Sequence, residues 1–187
     1  MKFTLTPLVL AASVLALGAL GTAQIKALTL DEMVTQTEGC VFGSITGQEV
    51  FVIDHPVDGP ELYYTTLTVT GRSLYTGKDA TVQVTYPGGF IDEEHGVYNS
   101  EAPSADEVKS GKEVVVFHKW TDNMGGDVAA HALYGMHGGL FSTFEVGGKR
   151  IVQGRGKGYA VDKNIEIGAL ETSAQAIRTR NRRGSDK

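Results

Sequence analysis

From Leu62 onward the side chains alternate in character: Tyr63, Thr65, Leu67 and Val69 fall on one side, and Tyr64, Thr66, Thr68 and Thr70 on the other. A period of two is the repeat of a β-strand, whose successive side chains point to opposite faces. The first set is assigned to a core and the second, lined by threonine, to solvent. The stretch ATVQVTY repeats the pattern, with Val82, Val84 and Tyr86 inward and Thr81, Gln83 and Thr85 outward.

The rest of the chain fits the same reading. Residues 40–53, CVFGSITGQEVFVI, read as a long strand with Gly43 and Gly47 as bend or bulge positions. Residues 113–120, EVVVFHKW, are apolar on both faces in their middle and predict a central strand. VAAHALYG, GLFSTFEV and KRIVQG predict three more strands, with Gly147-Gly148 as a hairpin turn between the last two. Glycine supplies 24 of the 187 residues, well above the usual share of about 7%, as tight turns and coiled strands require. About seven strands without a βαβ rhythm argue for a small barrel over a parallel sheet.

Two helices flank the strands. Thr29 stands three residues before Glu32, the spacing of a capping box, and Leu30, Met33 and Val34 share one face. Gly39 is expected to end that helix. Near the other end Leu170, Ala174 and Ile177 fall at helical spacing, in a helix that frays into a basic tail. Ahead of all this, Lys2 precedes an uncharged apolar stretch, and Gly21 and Ala23 place a signal-peptidase cut before Gln24. The expected organisation is a leader at 1–23, a barrel domain at 24–167 and a helical, basic tail at 168–187. The leader predicts export to the periplasm or the medium.

Charge narrows the partners. From Gln24 onward there are 16 Lys and Arg against 22 Asp and Glu, a net charge of −6. The last ten residues carry +4, so residues 24–177 carry −10. Such a body repels phosphodiester backbones and excludes nucleic acid as the expected partner. The tail reads as a solvated end, and membrane contact is confined to an uncleaved leader or that tail. The single cysteine, Cys40, cannot form an internal disulfide and reads as a buried, inert thiol.

No catalytic, cofactor or metal residues are assigned. Asp92, Glu93, Glu94 and His95 are consecutive, whereas calcium loops alternate their ligands, so they read as a solvated turn. On a regular strand His131 and His137 would lie roughly 20 Å apart. One zinc with bonds of about 2 Å cannot span that gap, unless the chain reverses at Gly135. His55, His95 and His118 fall in separate segments. GRGKGY, residues 154–159, lacks the Lys-Ser/Thr ending of a phosphate-binding loop, and Ser44 is not in a nucleophile elbow. Tyr63, Tyr64, Phe117, Trp120, Tyr134, Phe141 and Phe144 supply the aromatic candidates for a stacking surface, most of them alternating into the core.

Taken in order, several pieces resemble a family of small exported bacterial proteins of unknown function that carry a predicted OB-like β-barrel. They are TLDEMVTQT leading into CVFGSI, YYTTLTV followed by TVQVTYPGG, Ala102-Pro103, GKEVVVF and the late GGLFSTFEV. The resemblance implies an OB-like barrel and an exported compartment, and no reaction. The expected function is a non-catalytic exported module binding a protein, glycan or small ligand, with no cofactor. The alternative is a small exported hydrolase whose site is assembled across strands.

Overall fold

The computed structural model describes residues 27–185. The expected leader, residues 1–23, lies outside them, and no helix among the described residues is long and apolar enough to cross a membrane. The chain is mainly β, with 45% strand and 18% helix. Helix α1, Leu30–Gln36, is followed by strands β1, Gly39–His55, β2, Gly59–Ser73, and β3, Asp79–Pro87. Short strands β4, Gly89–Phe90, and β5, Gly96–Val97, form a separate hairpin. Strands β6, Glu113–Thr121, β7, Ala130–Leu133, β8, Leu140–Val146, β9, Lys149–Val152, and β10, Ile165–Glu166, precede helix α2, Ile167–Ser185.

Five strands close into a barrel in the order β1-β2-β3-β7-β6, and β6 returns to β1. This is an OB-like arrangement, as the resemblance implies. One seam departs from the expected antiparallel pattern: β3 and β7 run parallel, joined at Thr85 and Ala132. One edge of β6 pairs with β1, and the other is divided between β8, along Val114–Val116, and β7, from His118 onward.

The expectation for β6 is borne out by two separate cores. Val114 and Val116 face the barrel interior with Leu67, Val69 and Val84. Val115 and Phe117 face a second core, between the barrel and the two helices, with Met33, Phe141 and Leu170. Period two on a strand buried on both sides places alternate residues in different cores. The turn between β8 and β9 forms at Gly147 and Gly148, whose φ values of 57° and 75° suit a tight hairpin.

The bulge on β1 falls beside Gly47: Ile45 pairs with Val69 and Gly47 with Thr68, which leaves Thr46 as the extra residue. Helix α1 has its capping box, with Thr29 Oγ1 accepting from Glu32 N–H at 3.2 Å and Glu32 Oε2 accepting from Thr29 N–H at 2.9 Å. It ends at Thr37 rather than Gly39: the Thr37 hydroxyl donates to Met33 O at 2.7 Å, and its N–H donates to the same carbonyl. Gly39 opens β1 instead.

The connection between β3 and β6 carries Val108, which is buried in the barrel core. Ser104 holds Glu107 through its N–H and hydroxyl at 2.9 and 2.8 Å. Glu107 in turn pairs with Arg155, which donates to Leu140 O. Burial pushes the Glu107 carboxyl up, but Ser104 and Arg155 outweigh it, and its pKa is lowered.

The basic end is not simply solvated. Arg178 lies over the Tyr75 ring at 4.9 Å and donates to Thr37 O. Arg180 pairs with Asp31, and Asn181 donates to Thr35 at 2.8 Å. The helix therefore continues past Ile177 because its charged face docks on α1.

Candidate functional site

The loop between β1 and β2 and the loop between β6 and β7 meet at one end of the barrel. His55 Nδ1 accepts the Asp58 N–H at 3.0 Å, and its Nε2 faces Asp127 Oδ2 at 3.2 Å. Asp58 reaches across to accept the Gly126 N–H at 2.7 Å. Tyr64 donates to the carbonyls of Met124 and Gly125 at 3.2 and 3.0 Å. Burial and the Asp58 charge raise the Tyr64 pKa, so the phenol stays a donor. Two loops that exchange this many bonds form a rim set before any ligand arrives.

Between that rim and the barrel lies a cavity of about 270 Å³, lined by Phe51, Thr66, Gln83, Thr85, Trp120 and His131 among others. Phe51 stacks on Tyr64 with ring centres 5.6 Å apart. Thr66 and Thr85 hydrogen-bond at 2.9 Å. Trp120 is 44% exposed, and its indole N–H donates to Asp122 at 2.9 Å. Its ring edge meets His131 with centres 5.1 Å apart. The site offers aromatic surface, hydroxyls and an amide, with carboxylates on its rim.

The face assigned to solvent is thus partly the wall of this groove. Tyr64 and Thr85 are buried, contrary to the alternation, because the β6–β7 loop covers Tyr64 and Thr66 bonds Thr85. Phe51 escaped the sequence reading altogether. Without the bulge at Gly47 its parity would send it inward with Val41 and Ile45; with it, Phe51 pairs opposite Tyr64 on the outside. Asp58 and Asp127 have no local signal, since their roles depend on two loops far apart in sequence.

Other candidates go elsewhere. Phe117 and Phe141 meet edge to face in the second core, Tyr63 is buried, Tyr134 donates to Gln36, and Phe144 is half-buried. Asp92 accepts the Glu94 and His95 N–H groups and pairs with the His95 ring at 2.8 Å. These bonds, the Glu94 one foremost, lower its pKa, as in a closed turn. In GRGKGY, the N–H groups of Arg155, Gly156 and Tyr159 bond to loop carbonyls rather than pointing at a common anion. Ser44 sits in mid-strand, opposite Thr70 and Glu113. Cys40 is fully buried, and burial pushes its thiol well above the ordinary value.

The chain does turn at Gly135, but this does not unite the two histidines considered above. His137 goes to Tyr159, at 3.0 Å, and to Glu101 O, while His131 meets His118. Among the described residues, no group of three or more His, Cys, Asp or Glu side chains could hold a metal ion. No family model matches this chain, and no curated protein or solved structure matches it either.

Proposed function

We propose that the chain is a non-catalytic binding module, exported through its leader to the periplasm or the medium, that takes a glycan across its β2–β3 face. Kinship with small exported bacterial barrel proteins belongs to the same reading. The observation that carries it is the groove bearing exposed Trp120 beside Gln83, Thr66 and Thr85. Sugar rings stack their C–H faces on an aromatic ring while amides, hydroxyls and carboxylates take their hydroxyls. The equivalent face of OB barrels accommodates oligonucleotides and oligosaccharides. Asp58, Asp122 and Asp127 at the rim make the second ligand class the favourable one, because single-stranded nucleic acid needs a positive groove.

The hydrolase alternative has less support. His55 is the histidine set among carboxylates at the rim, and both its ring nitrogens already hold the loops together. Calorimetry with cello- and chito-oligosaccharides tests the proposal, on protein whose mass begins at Gln24. At least one is expected to bind, and Trp120→Ala is expected to weaken it by about tenfold or more, roughly 1.4 kcal/mol, with an unchanged circular dichroism spectrum. No binding of either series, undiminished binding by the variant, or tighter binding of oligo-dT would overturn it.

A further inference from the structure

We propose that His118 and His131 bind one divalent transition ion of the zinc–copper class, with its remaining coordination positions open to water or a ligand in the groove. The two residues are diagonal neighbours across the β6–β7 ladder, where His118 pairs with Leu133 and Trp120 with His131. Their Nδ1 atoms lie 3.3 Å apart. Two nitrogens bound to one tetrahedral ion at about 2.0–2.1 Å stand about 3.3–3.4 Å from each other. The ring centres are 4.8 Å apart, farther than the nitrogens, as when both Nδ1 atoms face inward, and the ring planes stand at 84°.

Both rings are held in place. The His118 ring packs over Gly39, where an added Cβ would come within 2.0 Å of Nε2. The edge of Trp120 braces His131. Loading requires both rings neutral, each with its single proton on Nε2, so that both Nδ1 lone pairs reach the ion. The Glu38 carboxylate lies close enough to act on the His118 ring and accepts the Trp120 N–H at 3.1 Å. His131 lines the groove, which supplies the path of entry. With two imidazoles as protein ligands, the site follows the general order in which copper exceeds zinc.

The inference does not rest on the glycan reading, because the probe is the metal alone. Untagged protein is titrated with Cu²⁺ and with Zn²⁺ by calorimetry, and the copper form is examined by electron paramagnetic resonance. One equivalent should bind, with nitrogen hyperfine structure from two imidazoles and tighter binding of Cu²⁺. Half-buried His131→Ala should weaken binding by more than about tenfold, since even losing a hydrogen-bond partner behind a metal ligand costs about 10–100-fold, while exposed His95→Ala binds as the wild type. His118→Asn should behave as His131→Ala if its circular dichroism is native; His131→Ala decides the matter if it is not. Absence of binding, undiminished binding in His131→Ala, or an equal loss in His95→Ala overturns the site.

Discussion

His118 sets a limit on the fold in acid. It is 8% exposed, and the charged groups that act on it are His131, which lowers its pKa, and Glu38, which raises it. Its pKa falls from 6.5 to about 4, first through burial and then through His131. The unfolded chain then binds more protons than the native one between those values. The contribution is fully present above pH 6.5 and is lost as pH falls toward 4. At about 1.4 kcal/mol per unit the loss amounts to about 3 kcal/mol. Urea midpoints measured from pH 7.5 to 4.5 should fall accordingly, and His118→Gln should flatten the profile; a parallel profile in the variant refutes the assignment. Glu107 acts in a different window. Its lowered pKa yields stability that is present above the ordinary glutamate value of 4.5 and is lost below it. At this scale the sequence was a fair guide to Cys40, whose apolar neighbours announce burial. It was silent on the His118–His131 contact, which exists because of strand register.

Helix α2 carries the sharpest contrast between elements. Leu170 and Ala174 are fully buried in the second core, whereas Arg182, Arg183 and Gly184 are exposed. Leu170→Ala should therefore cost about 3 kcal/mol, within the range for buried leucines. A chain stopped after Asn181 should lose less than about 0.5 kcal/mol. Urea denaturation of the two variants decides whether the basic end is structural, and a large loss on stopping at Asn181 would show that its last turn matters more than its exposure implies. The apolar spacing of Leu170, Ala174 and Ile177 made the helix legible. The docking of its basic end was not, because Arg178 and Arg180 dock through charge and a ring face, which leave no hydrophobic period. Strand β6 was legible for the opposite reason: an unbroken apolar run has a simple explanation in burial on both faces. Strand β1 was legible as a strand but not in phase, since one extra residue, Thr46 beside Gly47, reverses the side chains from there to Ile53. The β3–β6 connection hid Val108, which is buried in the barrel core, among polar residues and turns.

The molecule as a whole is closed unequally. Strands β1 and β2 pair along most of their length, and β6 is flanked on both edges. The β3–β7 seam is joined at Thr85 and Ala132 alone. Backbone pairing and core burial both oppose local opening, so the weakest seam should open first and at the least free energy. The groove lies across that seam, with Gln83 and Thr85 on the β3 side and Ala130 and His131 on the β7 side. This arrangement explains why the site was harder to read than the fold. Trp120 was visible as an aromatic residue, but a groove made by a thin parallel seam and two bonded loops has no pattern within any one segment. The closed barrel thus places its binding face where its own ladder is least continuous. Native-state hydrogen exchange should find the Thr85 and Leu133 amides, which face each other's strand across the seam, exchanging about tenfold or more faster than those of Val115 and Phe117, a difference of at least about 1.4 kcal/mol in opening free energy. Equal protection at the seam and in β6 would mean that the barrel opens only by global unfolding, and the groove would then have to admit its ligand without any parting of β3 from β7.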